Sequence, residues 1–258
     1  MRNLKALLDF YIQSSIHVAL AIYSLVRVTQ LSLQLPLDES LSTMIFFGTI
    51  VGYNFLKYFE AFQKGSFTLT NNRYLFGLTF LSLIATIYCF LQLNQSFQIY
   101  FIKIALLVAL YPFLRKFGFW KLFLVSFCVT AITVYAPIIE QGLFTVDQKF
   151  TLIQRFLIVI SLVIPFEILD SETDDKSLKT LPQRFGISTT KLFGVILLFP
   201  FVFLEFFKNT FEISTVVIAL IAGLFIGFTS LKRDKYYTSF WLESVPITWW
   251  VLLVLERY

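Results

Sequence analysis

The sequence is short of charge, of histidine and of cysteine. Charged residues make up 14% of its 258 positions and hydrophobic residues 57%, whereas a soluble domain carries roughly 25% and 45–50%. No polar stretch is long enough to fold a soluble domain, so residues 1–258 read as a single integral-membrane domain. One histidine, His17, and two separated cysteines, Cys89 and Cys128, give no support to zinc or haem ligation. His17 is expected to pack or hydrogen-bond. Both cysteines lie in apolar runs, where packing rather than a disulfide is the expected role. No glycine-rich nucleotide loop or nucleic-acid signature is present, so no nucleic-acid partner is expected. The start lacks the small-residue cleavage site of a signal peptide, and the first helix is expected to stay.

What the chain has instead is apolar length. A membrane-crossing helix needs about 20 mostly apolar residues. Nine such runs are present: Leu7–Leu31, Ser42–Phe62, Tyr74–Leu93, Phe97–Leu114, Trp120–Ile139, Leu152–Leu169, Lys191–Phe207, Ile213–Leu231 and Phe240–Leu255. The expected fold is all-α, a polytopic membrane bundle of about nine transmembrane helices. Lysine and arginine gather at the N-terminus and in the even-numbered connections (Lys64 and Arg73, Arg115 and Lys116, Lys176 to Arg184, Lys232 to Lys235). By the positive-inside rule these are cytoplasmic and the C-terminus is outside, in the inner membrane if the source is bacterial. The +5 net charge thus reports topology.

Against this background five of the sixteen acidic residues fall between positions 167 and 175, where the sixth run ends. On a continuing helix Glu167, Asp170 and Asp174 share one face, since spacings of three and four bring side chains into register. Clustered carboxylates repel unless a cation sits among them, and oxygen donors suit Mg²⁺. The segment that follows carries Lys176, Lys179 and Arg184 and turns at Pro182 and Gly186. Acids for a metal beside bases for an anion suit a diphosphate–Mg²⁺ complex. A helix leaving a membrane can also simply end in mixed solvated charge. An acid still inside the apolar run favours the site, because burying a carboxylate there is costly.

The pattern Glu167-x-x-Asp170-x-x-x-Asp174-x-Lys176, running into Lys179-Thr180-Leu181-Pro182 and Gly186, resembles the second aspartate-rich motif of the UbiA-type intramembrane prenyltransferases. Tyr111-Pro112-Phe113-Leu114-Arg115-Lys116 is similar to that family's tyrosine-plus-basic element at the end of the fourth helix. The resemblance extends to helix count and so to nearly the whole chain. It implies transfer of a prenyl group from an isoprenyl diphosphate to a hydrophobic or aromatic acceptor at the cytoplasmic face, with Mg²⁺ as cofactor and membrane lipid around the protein. It further implies metal ligation by Glu167, Asp170 and Asp174, and catalytic roles for Asp170, Asp174 and Tyr111. Asn54, Lys57, Arg115, Lys116, Lys179 and Arg184 are the expected substrate-binding set. Aromatic faces can steady an allylic carbocation, and aromatics are 19% of the chain, although lipid-facing phenylalanines give the same count.

One departure stands out. The family's first motif reads roughly Asn-x-x-x-Asp-x-x-x-Asp; here Asn54 is kept, but Tyr58 and Phe62 occupy the aspartate positions. Glu60 lies about 240° around the helix from Asn54 and is no replacement. Lys57 lies near the face of Asn54 and either contacts diphosphate directly or snorkels to the surface. The alternative reading is therefore a non-catalytic relative that binds a lipid diphosphate or a partner protein. An unrelated transporter or scaffold has least support, since no repeated Gly/Pro-broken helices appear. Arg27, Lys103, Arg155, Glu205 and Glu243 read as interfacial or snorkelling charges, and Asp9 either joins the cytoplasmic site or meets water. Trp241, Trp249 and Trp250 read as interface anchors and packing for the last helix.

Overall fold

The computed structural model describes residues 2–63, 73–114, 118–139 and 144–257, with side chains for 5–59 of the first segment. Among these residues every regular element is a helix. Lipid leaves a spanning chain little choice, because each backbone N–H and C=O must be bonded within the segment. The order is α1 (Arg2–Gln13), α2 (Ile16–Ser32), α3 (Glu39–Gln63), α4 (Arg73–Gln92), α5 (Gln95–Leu114), α6 (Trp120–Thr130), α7 (Ala136–Ile138), α8 (Val146–Asp170), α9 (Leu181–Phe203), α10 (Ile213–Phe228) and α11 (Val245–Arg257). A π turn, Ala131–Tyr135, joins α6 to α7, and another, Tyr237–Leu242, precedes α11.

Each of the nine apolar runs falls on helix, the first of them on two helices, α1 and α2, rather than one, and these long apolar helices make this an integral membrane protein. Six helices are long and apolar enough to cross a membrane among the described residues, or seven if α1 and α2, bent by 60°, count as one span. Nine crossings are therefore not established. The 16-residue α10 is apolar but short, and the polar Asn54 and Lys57 dilute α3. Two starts lie earlier than the apolar runs indicate. α8 begins at Val146 because Thr145 and Gln148 form a capping box, and α9 begins at Leu181, where Gln183 Oε1 accepts from Thr180 N. In both, polar residues supply the first turns.

The core has two parts that share α2. Leu25 and Val28 face Ile158, Ile164, Phe201, Ile218, Ala222, Trp249 and Leu253 from α8 to α11. Val26 faces Leu41, Met44, Ile45, Cys89 and Phe97 from α3, α4 and α5. The outer faces of α4 and α5 carry Phe80, Ile84, Leu91, Leu106 and Leu110, all exposed, as a lipid-facing surface requires.

Polar contacts sort the connections to two ends of the bundle. At one end Asp9 accepts from Lys235 Nζ (3.1 Å) and Tyr236 OH (2.6 Å), tying α1 to the segment before α11; this bond holds the Lys235 ammonium above its ordinary value. At the other end Glu212 accepts from Ser32 Oγ and Arg257 Nη2, so the ends of α2 and α11 lie together. There Glu205, wholly buried, accepts from Gln154 Nε2 at 2.7 Å, from Lys208 Nζ at 3.3 Å and from the Glu212 backbone at 3.2 Å. Arg155 is also buried; it donates to Leu25 O (2.9 Å), Thr29 Oγ1 (3.2 Å) and Thr133 Oγ1 (3.3 Å) and lies over the Trp249 ring. Neither Arg155 nor Glu205 snorkels. Each is held inside by polar partners that sequence spacing does not reveal. Trp249 is packing, whereas Trp241 is exposed as an anchor would be.

Candidate functional site at the α8–α9 turn

The site grows from the end of α8. After Asp170 the chain continues as a turn rather than a helix, but Asp174 N donates to Asp170 O at 2.7 Å, which keeps the helical spacing for one more turn. Gln183, at the start of α9, reaches back with Nε2 to Ser171 O (3.3 Å) and Asp174 O (3.2 Å) and so fixes the turn. Asp175 caps the following 3₁₀ turn by accepting from Ser177 N, which holds its carboxyl below the ordinary carboxylate range. Glu167 and Asp174 therefore do share a face.

The residue that joins them is one sequence reasoning missed. Lys121 Nζ lies 3.0 Å from Glu167 Oε1 and 2.9 Å from Asp174 Oδ2. It stands at the start of α6, fifty-three positions from Asp174, so no local pattern announces it. Its placement depends on how two turns meet. Gly118, at φ +64°, lies so close to the α8–α9 turn that a Cβ there would run into the Leu178 carbonyl oxygen. Phe119 next to it takes the Arg184 guanidinium over its ring at 5.0 Å.

Tyr111, on α5, stands within electrostatic reach of Lys121, Glu167 and Asp174. Asp170 interacts in the same way with Asp174 and Lys121. Tyr53 of α3 lies within electrostatic range of Tyr111, Asp170 and Glu243. Glu243, set on the last turn before α11, has Lys57 as its charged neighbour, and its Oε2 is buried without a hydrogen-bond partner. Tyr53 is thus within electrostatic range of both the acidic turn and Glu243. Neither Tyr53 nor Glu243 carries a sequence motif.

The remaining expected residues are not among those that Lys121 joins. Asn54 is buried; it accepts from Ser15 Oγ at 2.6 Å and donates to Ser14 O and Thr79 Oγ1. Lys57 Nζ donates to Ile12 O and Gln13 O, and Tyr58 OH to Gln13 O. This stripe of α3 clamps the break between α1 and α2. Lys179 is exposed, with left-handed backbone at φ 50°. Arg115 and Lys116 lie outside the described residues, as do the side chains of Glu60 and Phe62. His17 is buried between Tyr11 OH and the Phe240 carbonyl, as a packed histidine should be. A small cleft between α2 and α3, lined by Leu20, Tyr23, Thr43 and Phe46, includes no residue of the acidic turn.

The donor chemistry of the acidic turn suits a hard divalent cation. Glu167 Oε2 is buried and has no hydrogen-bond partner among the described residues. Two carboxylates share one ammonium, so negative charge is in excess. Among the described residues, however, no three acids converge as they stand on a point that would hold a metal. Lys121 lies between two of them.

The fold and this charged turn define an all-helical membrane protein with a polar site at one end of its bundle. Among solved structures the chain is similar to a digeranylgeranylglyceryl phosphate synthase described in membranes, with a TM-score of 0.60 and 15% identity over 99% of each chain. That likeness shows a shared fold. No protein-family model matches the chain, and no curated protein matches it.

Proposed function

We propose that this protein transfers a prenyl group from an isoprenyl diphosphate to a hydrophobic or aromatic acceptor, at the cytoplasmic side of a membrane that its nine helical rods cross. The observation that carries this reading is the meeting of Lys121, Glu167 and Asp174 beside Tyr111 at one end of the bundle. The likeness in fold to a synthase whose name places it in prenyl-lipid chemistry supports it. The N-terminus would be cytoplasmic and the C-terminus outside, in keeping with α1 and Arg257 lying at opposite ends.

In this reading the diphosphate head sits at the α8–α9 turn, and its charge is met by Lys121 with Lys179, Arg184, Arg115 and Lys116. Asn54 and Lys57 line the α3 side. Glu167, Asp170 and Asp174 would hold Mg²⁺, which supplies charge neutralisation on the departing diphosphate. Cations aimed at that leaving group lower the barrier by stabilising charge that develops only as the bond breaks. Tyr111 and Tyr53 present ring faces where the allylic cation would lie, and the apolar bundle keeps water from it.

A second reading, a relative that holds a lipid diphosphate or a partner protein without transferring anything, is favoured by one observation: Asn54, Lys57 and Tyr58 are engaged at the α1–α2 break. The test is binding of radiolabelled geranylgeranyl diphosphate to purified protein in detergent. Asp170→Asn and Asp174→Asn are each expected to weaken Mg²⁺-dependent binding by at least about tenfold, or 1.4 kcal/mol, with the fold retained. Unchanged binding in both would refute the site. Binding without any product from an acceptor panel would favour the second reading.

A further inference from the structure

The acidic turn already contains a cation of its own. Lys121 takes one oxygen from Glu167 and one from Asp174 and leaves Glu167 Oε2, on a residue only 5% exposed, with no partner among the described residues. From this geometry we infer that Lys121 is a resident counter-cation that keeps the carboxylate site closed to divalent metal until an anionic diphosphate draws its ammonium away.

Three features carry the inference. Glu167 Oε2 is a buried donor left over once Lys121 has claimed its twin, as a site awaiting a second cation would have. Lys121 comes from a different element than the acids, delivered by the close approach of Gly118 to the Leu178 carbonyl, so the acids are not fixed to it by their own helix. And a lysine ammonium on a four-carbon stem can swing between partners, binding phosphate oxygens as a point charge as readily as carboxylates. On reaching a diphosphate it would exchange one set of anionic partners for another and free Glu167 Oε1 and Asp174 Oδ2 beside Oε2 and Asp170. Metal and diphosphate then bind as a coupled pair, each raising the affinity of the other by the same factor. The diphosphate half of this inference rests on the proposed function; the antagonism between Lys121 and metal does not.

The experiment is retention of Mn²⁺, a paramagnetic substitute for Mg²⁺, by the full-length protein in detergent, read by dialysis and electron paramagnetic resonance. Lys121→Gln is expected to bind Mn²⁺ at least about tenfold more tightly than wild type. Lys121→Met repeats the test with an apolar side chain of similar length should the glutamine variant fold poorly, and Lys121→Arg should remain as weak as wild type. Adding Glu167→Gln to Lys121→Gln should remove the gain. Wild type binding Mn²⁺ as tightly as the charge-removed variants, or no gain in either of them, overturns the assignment of Lys121. A gain in the variants, with inorganic pyrophosphate failing to raise Mn²⁺ retention by wild type, overturns the diphosphate reading instead.

Discussion

Glu205→Ala should lower stability by about 3–5 kcal/mol, the loss seen when one partner of a buried ion pair is removed. The carboxylate is wholly buried and serves three donors: the Gln154 amide, the Lys208 ammonium and the Glu212 backbone. Taking it away leaves Lys208, itself almost wholly buried, as an uncompensated cation, and leaves an amide with one bond fewer. In a chain of this size the loss corresponds to a fall in Tm on the order of 10 °C, measurable by thermal denaturation in detergent. Arg155→Met supplies the contrast. Among the described residues the Arg155 guanidinium makes no ion pair, and its acceptors are already served: Thr29 Oγ1 donates to Leu25 O and Thr133 Oγ1 to Val129 O. Replacing a buried charge by an apolar side chain of similar length is commonly neutral or stabilising, so Arg155→Met should stay within about 1 kcal/mol of wild type. A larger loss in Arg155→Met than in Glu205→Ala would show that this account of the buried charges is wrong.

Gly118→Ala is expected to disable the candidate site without unfolding the bundle. Two costs coincide there. A left-handed backbone costs an L-residue roughly 1–2 kcal/mol, and the new methyl would strike the Leu178 carbonyl, which is backbone and has no side chain to move aside. The α5–α6 and α8–α9 turns must part, and Lys121, three positions on, is carried away from Glu167 and Asp174. Binding of labelled geranylgeranyl diphosphate should drop by about tenfold or more, while helix content stays as in wild type. Gly77→Ala is the control: nothing lies near its Cβ on α4, and alanine suits a helix better than glycine. Equal binding by both variants would mean that the docking of the two turns does not position the site.

How far the sequence foretold this architecture depends on the range of each interaction. Apolar runs placed the helices because membrane burial is written locally, but the first run hid the 60° break between α1 and α2. They missed the polar beginnings of α8 and α9, although Thr145 to Gln148 and Thr180 to Gln183 spell capping boxes that a reader can find. The shared face of Glu167 and Asp174 was legible because seven positions make about two helical turns. Lys121 was not, because its bonds cross from one helix to another. The same reason hid the burial of Arg155 and Glu205, which look like snorkelling charges when only their own helix is considered. For Asn54 and Lys57 the structure adds a tertiary role, clamping the 60° break between α1 and α2, that no one-helix projection contains.

The central claim is that a prenyl diphosphate has its head at the meeting of the α5–α6 and α8–α9 turns. The most direct measurement is photo-crosslinking with a geranylgeranyl diphosphate analogue that carries its reactive group next to the diphosphate, followed by mass mapping of the labelled peptides. Label should fall on peptides spanning 111–121 and 167–184 and be displaced by unmodified geranylgeranyl diphosphate. Displaceable label confined to the Leu20–Phe46 cleft, or to the Glu205–Glu212 end of the bundle, would contradict the claim.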